Sequence, residues 1–240
     1  MSQPFQFKQF TVHQDKTAMK VGTDGVLLGA WSSLHKSPKT ILDVGSGTGL
    51  IALMLAQRSN ADIIDAVELD NRAYEQTVEN FERSNWADRL FCYRSSFQGF
   101  AKEMAESGQR YDLIVSNPPF YTDSFETQDK SRNKARFTTS LSFKELIAGV
   151  GNLLSSSGLF ATIIPSKEED TFIQLSIDHR FFLSRVCRVK GSKTSKVKRS
   201  LLEFSLQKTT RVEEELVIEH SRHNYTKKYK ELTRGFYLRF

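Results

Sequence analysis

Asp43-Val44-Gly45-Ser46-Gly47-Thr48-Gly49 is the stretch on which the reading of this chain turns. An apolar run of strand length, Thr40 to Val44, leads into it, and an apolar run of helix length, Leu50 to Arg58, follows. The glycines therefore mark a strand-to-helix turn. Glycine lets a backbone bend sharply and approach a ligand closely. The spacing is GxGxG, not GxGxxG, and no Lys-Ser/Thr pair closes it. It therefore lacks both the dinucleotide and the phosphate-loop fingerprints. Asp43, just ahead of the glycines, would repel a phosphate. It would instead attract a cationic ligand or order the loop. These features point to an adenosyl ligand with an ammonium group, with Asp43, Gly45, Gly47 and Gly49 as candidate contacts.

On the downstream side Ile63 to Leu69 reads as a second strand. Glu68 lies at its end, twenty-five residues after Asp43, where an acid can accept both hydroxyls of a ribose. Asn71 to Ser84 is an amphipathic helix with Ala73, Val78 and Phe81 on its apolar side. Leu90 to Tyr93, Tyr111 to Ser116 and Leu159 to Ile164 read as further strands, and Ser142 to Leu154 as a helix. Strands alternating with helices predict an α/β fold, a parallel sheet with helices on both faces. Upstream, Phe5 to Val12 alternates apolar and polar residues as a strand does. Thr23 or Asp24 is placed to cap a short helix over Val26 to Trp31. Leu183 to Lys190 and Ser200 to Gln207 flank a polar basic loop, which predicts a hairpin.

Asn117-Pro118-Pro119-Phe120 follows the fourth strand of this series. In an open parallel sheet the ligand crevice lies beyond the carboxyl ends of the strands, so this motif and the glycine turn should share it. Two consecutive prolines fix the backbone. They can hold the Asn117 side-chain oxygen and the Pro118 carbonyl, both acceptors, at one point. Such a pair suits a planar NH2 group, whose lone pair is delocalised and attacks poorly. Acceptors on its two N–H groups favour a more pyramidal nitrogen and stabilise the charge that develops on attack. The proton can leave after methyl transfer, so no strong base is needed. Phe120 offers a face on which an extruded base can stack.

The 240 residues, 39% hydrophobic and 26% charged, fit one globular domain and rule out wholesale disorder. Apolar runs are only a few residues long, so no spanning helix and no membrane partner are expected. MSQPFQFKQF lacks the pattern of a secretory signal. Cys92 and Cys187 sit in apolar strand-like contexts, as reduced thiols of a cytoplasmic protein do. With no CxxC or HExxH and five scattered histidines, no metal site is expected. The net charge is +6, and its distribution matters more than its size. Arg185, Arg188, Lys190, Lys193, Lys196, Lys198 and Arg199 follow one another without an intervening acid. Lys130, Arg132, Lys134 and Arg136 form a second cluster. Alone, either run reads as a solvated face; beside a ligand crevice, from Arg188 onward and at 130–136, they are candidate phosphate contacts.

Together, DVGSGTG, Glu68 and NPPF resemble the S-adenosylmethionine-dependent methyltransferases of the Rossmann-like class. The segment Lys20 to Trp31 (KVGTDGVLLGAW) and the closing Phe236-Tyr237-Leu238 resemble, more narrowly, the bacterial tRNA1(Val) adenine-37 N6-methyltransferase family. The resemblance covers nearly the whole chain. It implies a seven-stranded, mostly parallel sheet whose last strand is antiparallel. It also implies S-adenosylmethionine as cofactor and methylation of an adenine N6 beside a tRNA anticodon, with no obligatory protein partner. Residues 39–208 would form the Rossmann-like core, 1–38 a cap and 209–240 a tail packing on the core. Lys20, Thr23, Asn117 and Ser96 join the expected donor contacts, with the segment around Lys20 to Asp24 closing over the donor. Ser96 stands where similar enzymes often place an Asp, and it can accept a hydrogen bond without carrying charge.

Other readings share parts of this pattern. Protein-amide methylation uses related motifs, but its enzymes carry a helical domain ahead of the glycine strand, and here only about forty residues precede it. An rRNA amino-group methyltransferase uses the same chemistry. A DNA adenine methyltransferase usually has extra mass for sequence recognition. An inactive RNA-binding relative would keep the basic surface without needing an intact glycine turn, Glu68 and NPPF. A small-molecule methyltransferase would show no salt-dependent substrate binding.

Overall fold

The computed structural model describes residues 3–119 and 141–239. The strands are β1 (Phe5–Gln6), β2 (Thr11–Val12), β3 (Thr40–Val44), β4 (Ile63–Glu68), β5 (Leu90–Arg94), β6 (Tyr111–Ser116), β7 (Leu154–Pro165), β8 (Phe182–Ser192), β9 (Val197–Ser205), β10 (Val212–Ser221) and β11 (Asn224–Tyr225). The helices are α1 (Thr23–Trp31), α2 (Leu50–Arg58), α3 (Asn71–Glu82), α4 (Phe97–Glu106), α5 (Phe143–Leu153), α6 (Glu169–Asp178) and α7 (Lys227–Thr233).

Strands β3 to β11 form one sheet in the order β11-β10-β8-β9-β7-β6-β3-β4-β5. Seven of them, β5-β4-β3-β6-β7-β9-β8, form the expected sheet, and β9 is antiparallel to both of its neighbours. The order reverses between β3 and β6, which is where an α/β sheet opens a crevice. The sheet has nine strands rather than seven. The tail does more than pack on the core: β10 runs parallel to β8, and β11 pairs antiparallel with β10.

Alternate strand residues feed two apolar layers, because successive side chains point to opposite faces. Ile41, Ile64, Leu113, Val115, Ala161 and Leu201 pack with α1, α2 and Phe81 of α3 on one side. Leu42, Val67, Ile114, Phe160, Leu202 and Phe204 pack with α4, α5 and Phe172 of α6 on the other. Ser142 caps α5 through a reciprocal box with Glu145.

Three local expectations change. Phe5 to Val12 is a tight hairpin of two-residue strands rather than one strand. Phe7 and Phe10 are both buried, and a straight strand would send residues three apart to opposite faces. Neither Thr23 nor Asp24 caps α1. Gly22 holds the cap position without a side-chain bond, and Thr23 and Asp24 lie in the first turn. Helices α4 and α6 add to the alternation read above. The stripe Phe97, Phe100, Ala101 and Met104 marks α4 at helical spacing. In α6 only Glu169, Phe172 and Ser176 are buried, so its apolar signal is weak.

Candidate active site

The glycine turn joins β3 to α2 at the carboxyl edge of the sheet. Gly45, Gly47 and Gly49 all have left-handed backbone, with φ of +75°, +60° and +76°. At Gly49 a second constraint applies: a Cβ there would lie 2.6 Å from Phe81 Cε1. The turn is anchored from both sides. The Gly45 N–H donates to the Val67 carbonyl at 2.9 Å, and the Gly47 N–H to Glu68 Oε2 at 2.9 Å. Thr77 Oγ1 donates to the Gly47 carbonyl at 3.1 Å, and Asn80 Nδ2 to the Thr48 carbonyl at 2.8 Å. Glu68 accepts a second backbone bond at Oε1, from the Asp70 N–H at 2.9 Å. Its carboxylate is thus oriented by backbone donors, and among the described residues each oxygen keeps a lone pair for a further donor.

Two cavities open along this edge, of about 610 Å³ and about 450 Å³. The larger is bordered by Glu68, Asp70, Ser95, Ser96 and Pro118. The smaller is bordered by Lys20, Thr23, Asp24 and Thr48. Met19, Gly45, Gly47 and Asn117 border both. Asn117 therefore stands where the two cavities meet. Its side-chain oxygen is buried and has no hydrogen-bond partner among the described residues. A buried acceptor left unmatched is costly unless a ligand meets it. The backbone leading to it is pinned: Ser116 Oγ donates to the Val44 carbonyl at 2.9 Å, and Thr162 Oγ1 to the Ser116 carbonyl at 2.8 Å.

Asp43 borders neither cavity. It is fully buried under the turn, where Oδ2 accepts the Ala52 N–H at 3.2 Å. That bond ties Oδ2 to the first turn of α2, and Oδ1 is buried with no hydrogen-bond partner among the described residues. Burial pushes its carboxyl up to about 7, with the Ala52 N–H opposing and nearby Glu68 adding to the rise. Burial also pushes Cys92 up to about 12 and Cys187 up to about 11, so neither is a thiolate nucleophile near neutral pH.

Residues 22–169 match the family described as the methyltransferase small domain. The chain is 53% identical over 238 residues to the tRNA1(Val) (adenine(37)-N6)-methyltransferase of Christiangramia forsetii, covering 99% of both chains. It is likewise 53% identical over 235 residues to the enzyme of that name from Flavobacterium psychrophilum, covering 98% of this chain and 99% of the relative. The chain belongs to the tRNA1(Val) (adenine(37)-N6)-methyltransferase family. Its fold is similar to that of a predicted O-methyltransferase, Atu636 of Agrobacterium tumefaciens. That likeness has a TM-score of 0.67 at 18% identity, over 89% of this chain and 96% of that one.

In this tRNA1(Val) (adenine(37)-N6)-methyltransferase family member, the other expected site residues divide sharply. Thr23 and Lys20 border the smaller cavity, but the Lys20 ammonium donates to the Gln14 carbonyl and to that of Thr17, the latter at 2.7 Å. Ser96 borders the larger cavity while capping α4, its Oγ accepting the Gly99 N–H at 3.2 Å. Phe120, Lys130, Arg132, Lys134 and Arg136 lie outside the described residues.

The basic hairpin divides too. Register places Arg199 opposite Pro165, the last residue of β7, so the tip of β8–β9 stands on the same edge as the cavities. Four of its cations already face acids, Arg185 meeting Glu203 at 3.2 Å. Arg188 meets Glu169 at 2.6 Å and Glu213 at 2.9 Å, Lys190 meets Glu215 at 2.7 Å, and Arg199 meets Asp24 at 2.7 Å. Lys193, Lys196 and Lys198 are exposed.

Sequence reasoning missed the clamp that holds the N-terminal strap beside the cavities. Asn80 Oδ1 accepts the His13 N–H at 2.9 Å, and Gln76 Oε1 accepts the Lys16 N–H at 3.0 Å. Gln76, Thr77 and Asn80 are buried although polar, on the same helix face as Ala73 and Phe81. Three polar residues on the apolar stripe of an amphipathic helix were the available signal.

Proposed function

We propose that this chain transfers a methyl group from S-adenosylmethionine to the exocyclic N6 of adenine 37 in tRNA1(Val). Family membership supports the reaction and the substrate. The observation that carries the chemistry is the unpartnered Asn117 oxygen where the two cavities meet. The residues fit the donor: an open glycine cradle, an oriented Glu68 carboxylate for a ribose and a cavity of about 610 Å³ beside them. S-adenosylmethionine supplies an electrophilic methyl group. Gly45, Gly47, Glu68, Ser96 and Asn117 contact it from the larger cavity, with Lys20 and Thr23 at the smaller, while Asp43 and Gly49 act beneath by holding the turn. Asn117 Oδ1 and the Pro118 carbonyl accept the two amino hydrogens of the adenine. The N6 lone pair is then freed from the ring, and the charge that develops on nitrogen is stabilised. The proton passes to water after transfer. Phe120 stacks on the extruded base.

The anticodon loop is held at the tip of the hairpin by Lys193, Lys196 and Lys198, with Lys130, Arg132, Lys134 and Arg136 from the segment after the NPPF motif. We place the enzyme in the cytoplasm with its tRNA. Among the described residues no helix is long and apolar enough to cross a membrane.

The test uses purified protein, methyl-labelled S-adenosylmethionine and unmodified tRNA1(Val) transcript, beside a transcript with guanine at position 37. N6-methyladenosine in the digest of the first transcript alone is the expected result. Label in both transcripts, or in neither, would overturn the assignment of the target.

A further inference from the structure

We propose that Arg199 is a positioning residue of the donor site, acting through Asp24, rather than a phosphate contact. This rests on the reading of the two cavities as the donor site. Asp24 borders the smaller cavity, in the first turn of a helix whose N-cap makes no side-chain bond. Residues 25–31 of that helix are all buried, so the helix body is fixed by packing while its first turn faces the site. Arg199 reaches that turn from β9: Nε donates to Asp24 Oδ2 at 2.7 Å, and Nη1 to the Lys198 carbonyl at 3.0 Å. Successive residues of a strand point to opposite sides. Lys198 is exposed, while Arg199 turns inward to Asp24. Strand β9 thus links a cation available to RNA with a wall of the donor site.

The pair contributes little to stability. Its side chains are 34% and 27% exposed, and an ion pair screened by solvent holds a fold only weakly. Its effect belongs instead in donor affinity. The Arg199 bond holds the Asp24 carboxylate in one orientation on the cavity wall, and without it that carboxylate is no longer aimed at the donor.

The experiment measures S-adenosylmethionine Kd by calorimetry and the salt dependence of binding to tRNA1(Val) transcript. The proteins are wild type, Arg199→Ala, Arg199→Lys, Asp24→Asn, the Asp24→Asn/Arg199→Ala pair, Lys198→Ala and Glu68→Ala. We expect Arg199→Ala and Asp24→Asn each to weaken donor binding about ten-fold, within the usual range for coupled sites. The double variant should be no worse than either single, as for two residues acting as one unit. Arg199→Lys should recover part of the loss. The slope of log Kd against log salt should stay at the wild-type value in Arg199→Ala and fall by about 0.7–0.9 in Lys198→Ala. Thermal midpoints close to wild type would show that lost donor binding is not unfolding. Additive donor effects, or a reduced salt slope in Arg199→Ala with donor Kd unchanged, would overturn the proposal. Glu68→Ala separates the two levels: if it leaves donor binding intact, the donor-site reading fails and this inference with it. If it abolishes donor binding while Arg199→Ala does not weaken it, only this inference fails.

Discussion

The glycine turn and the basic hairpin stand on the same edge of one sheet, yet their sequences deserve different degrees of trust. The turn is specified by backbone: three left-handed glycines, one of them pressed against Phe81, and carbonyls claimed by Thr77 and Asn80. Few residues other than glycine satisfy those constraints, so the turn can be read from its own residues and its place between a strand and a helix. The hairpin is specified by charge, and charge has many uses. Arg188, Lys190 and Arg199 are drawn to acids on α6, β10 and α1 that are distant in sequence. A motif that encodes conformation can be read locally. A run of cations can be read only after its counterions have been located.

The contrast can be broken or sharpened by experiment. The largest effect is expected where the turn meets the NPPF motif: Asn117→Ala should lower turnover by about 10²-fold or more while calorimetry still shows donor binding. Near-normal turnover would remove Asn117 from the chemistry. In the hairpin, Arg188→Ala should cost roughly 1–3 kcal/mol of stability, because it strips the nearly buried Glu169 carboxylate of its charged partner. Its RNA affinity should stay within about two-fold, since that arginine is committed inward. A variant that melts like wild type but binds RNA poorly would make Arg188 a phosphate contact rather than the partner of Glu169.

Asp43 gives a pH test of the turn. Its carboxyl is raised by burial to about 7, so between its unfolded value and about 7 the folded chain binds the extra proton. Stability therefore falls as pH rises through that window, by at most about 1.4 kcal/mol per pH unit. Asp65, also raised by burial, acts in the same direction, so the comparison must be with Asp43→Asn, which should lose the Asp43 share of the slope. Equal slopes in denaturant melts from pH 5 to 7 would contradict the buried placement. The smallest effect is expected at the tip. Lys193→Ala, Lys196→Ala and Lys198→Ala combined should weaken transcript binding about ten-fold at low salt and flatten its salt dependence, with folding unchanged.

Much of the fold was legible because period and punctuation agreed. β3, α2 and β6 lie where the apolar runs and the glycine turn put them. The hairpin at the end of the core was visible as two strand-like runs without a helix between them. Other features were hidden for identifiable reasons. The N-terminal hairpin obeys the burial of Phe7 and Phe10 rather than alternation. Helix α6 buries Glu169, Phe172 and Ser176, so its inward face offers little apolar periodicity. At the site, Asn117, Glu68 and the glycines could be named because their chemistry is tied to their place after a strand. The segment from Lys20 to Asp24 was reached only through the family resemblance, because it precedes the sheet altogether, and Met19 beside it was not named. Lys20 shows the converse, a cation beside the site whose ammonium is occupied by carbonyls of its own strap.

The added strands of the tail have a further consequence, for solubility. Strand β8 is 11 residues long, and without β10 it would end the sheet as a long unpaired ladder of N–H and C=O groups. Such an edge is a template for self-association. Strand β10 covers it with a ribbon rich in Glu213, Glu214, Glu215 and Glu219, and the two-residue β11 then caps only part of β10. The last thirty or so residues thus guard the sheet against joining another copy of itself, and a chain cut after β9 would expose that edge together with the core against which Leu216, Tyr229 and Phe236 pack.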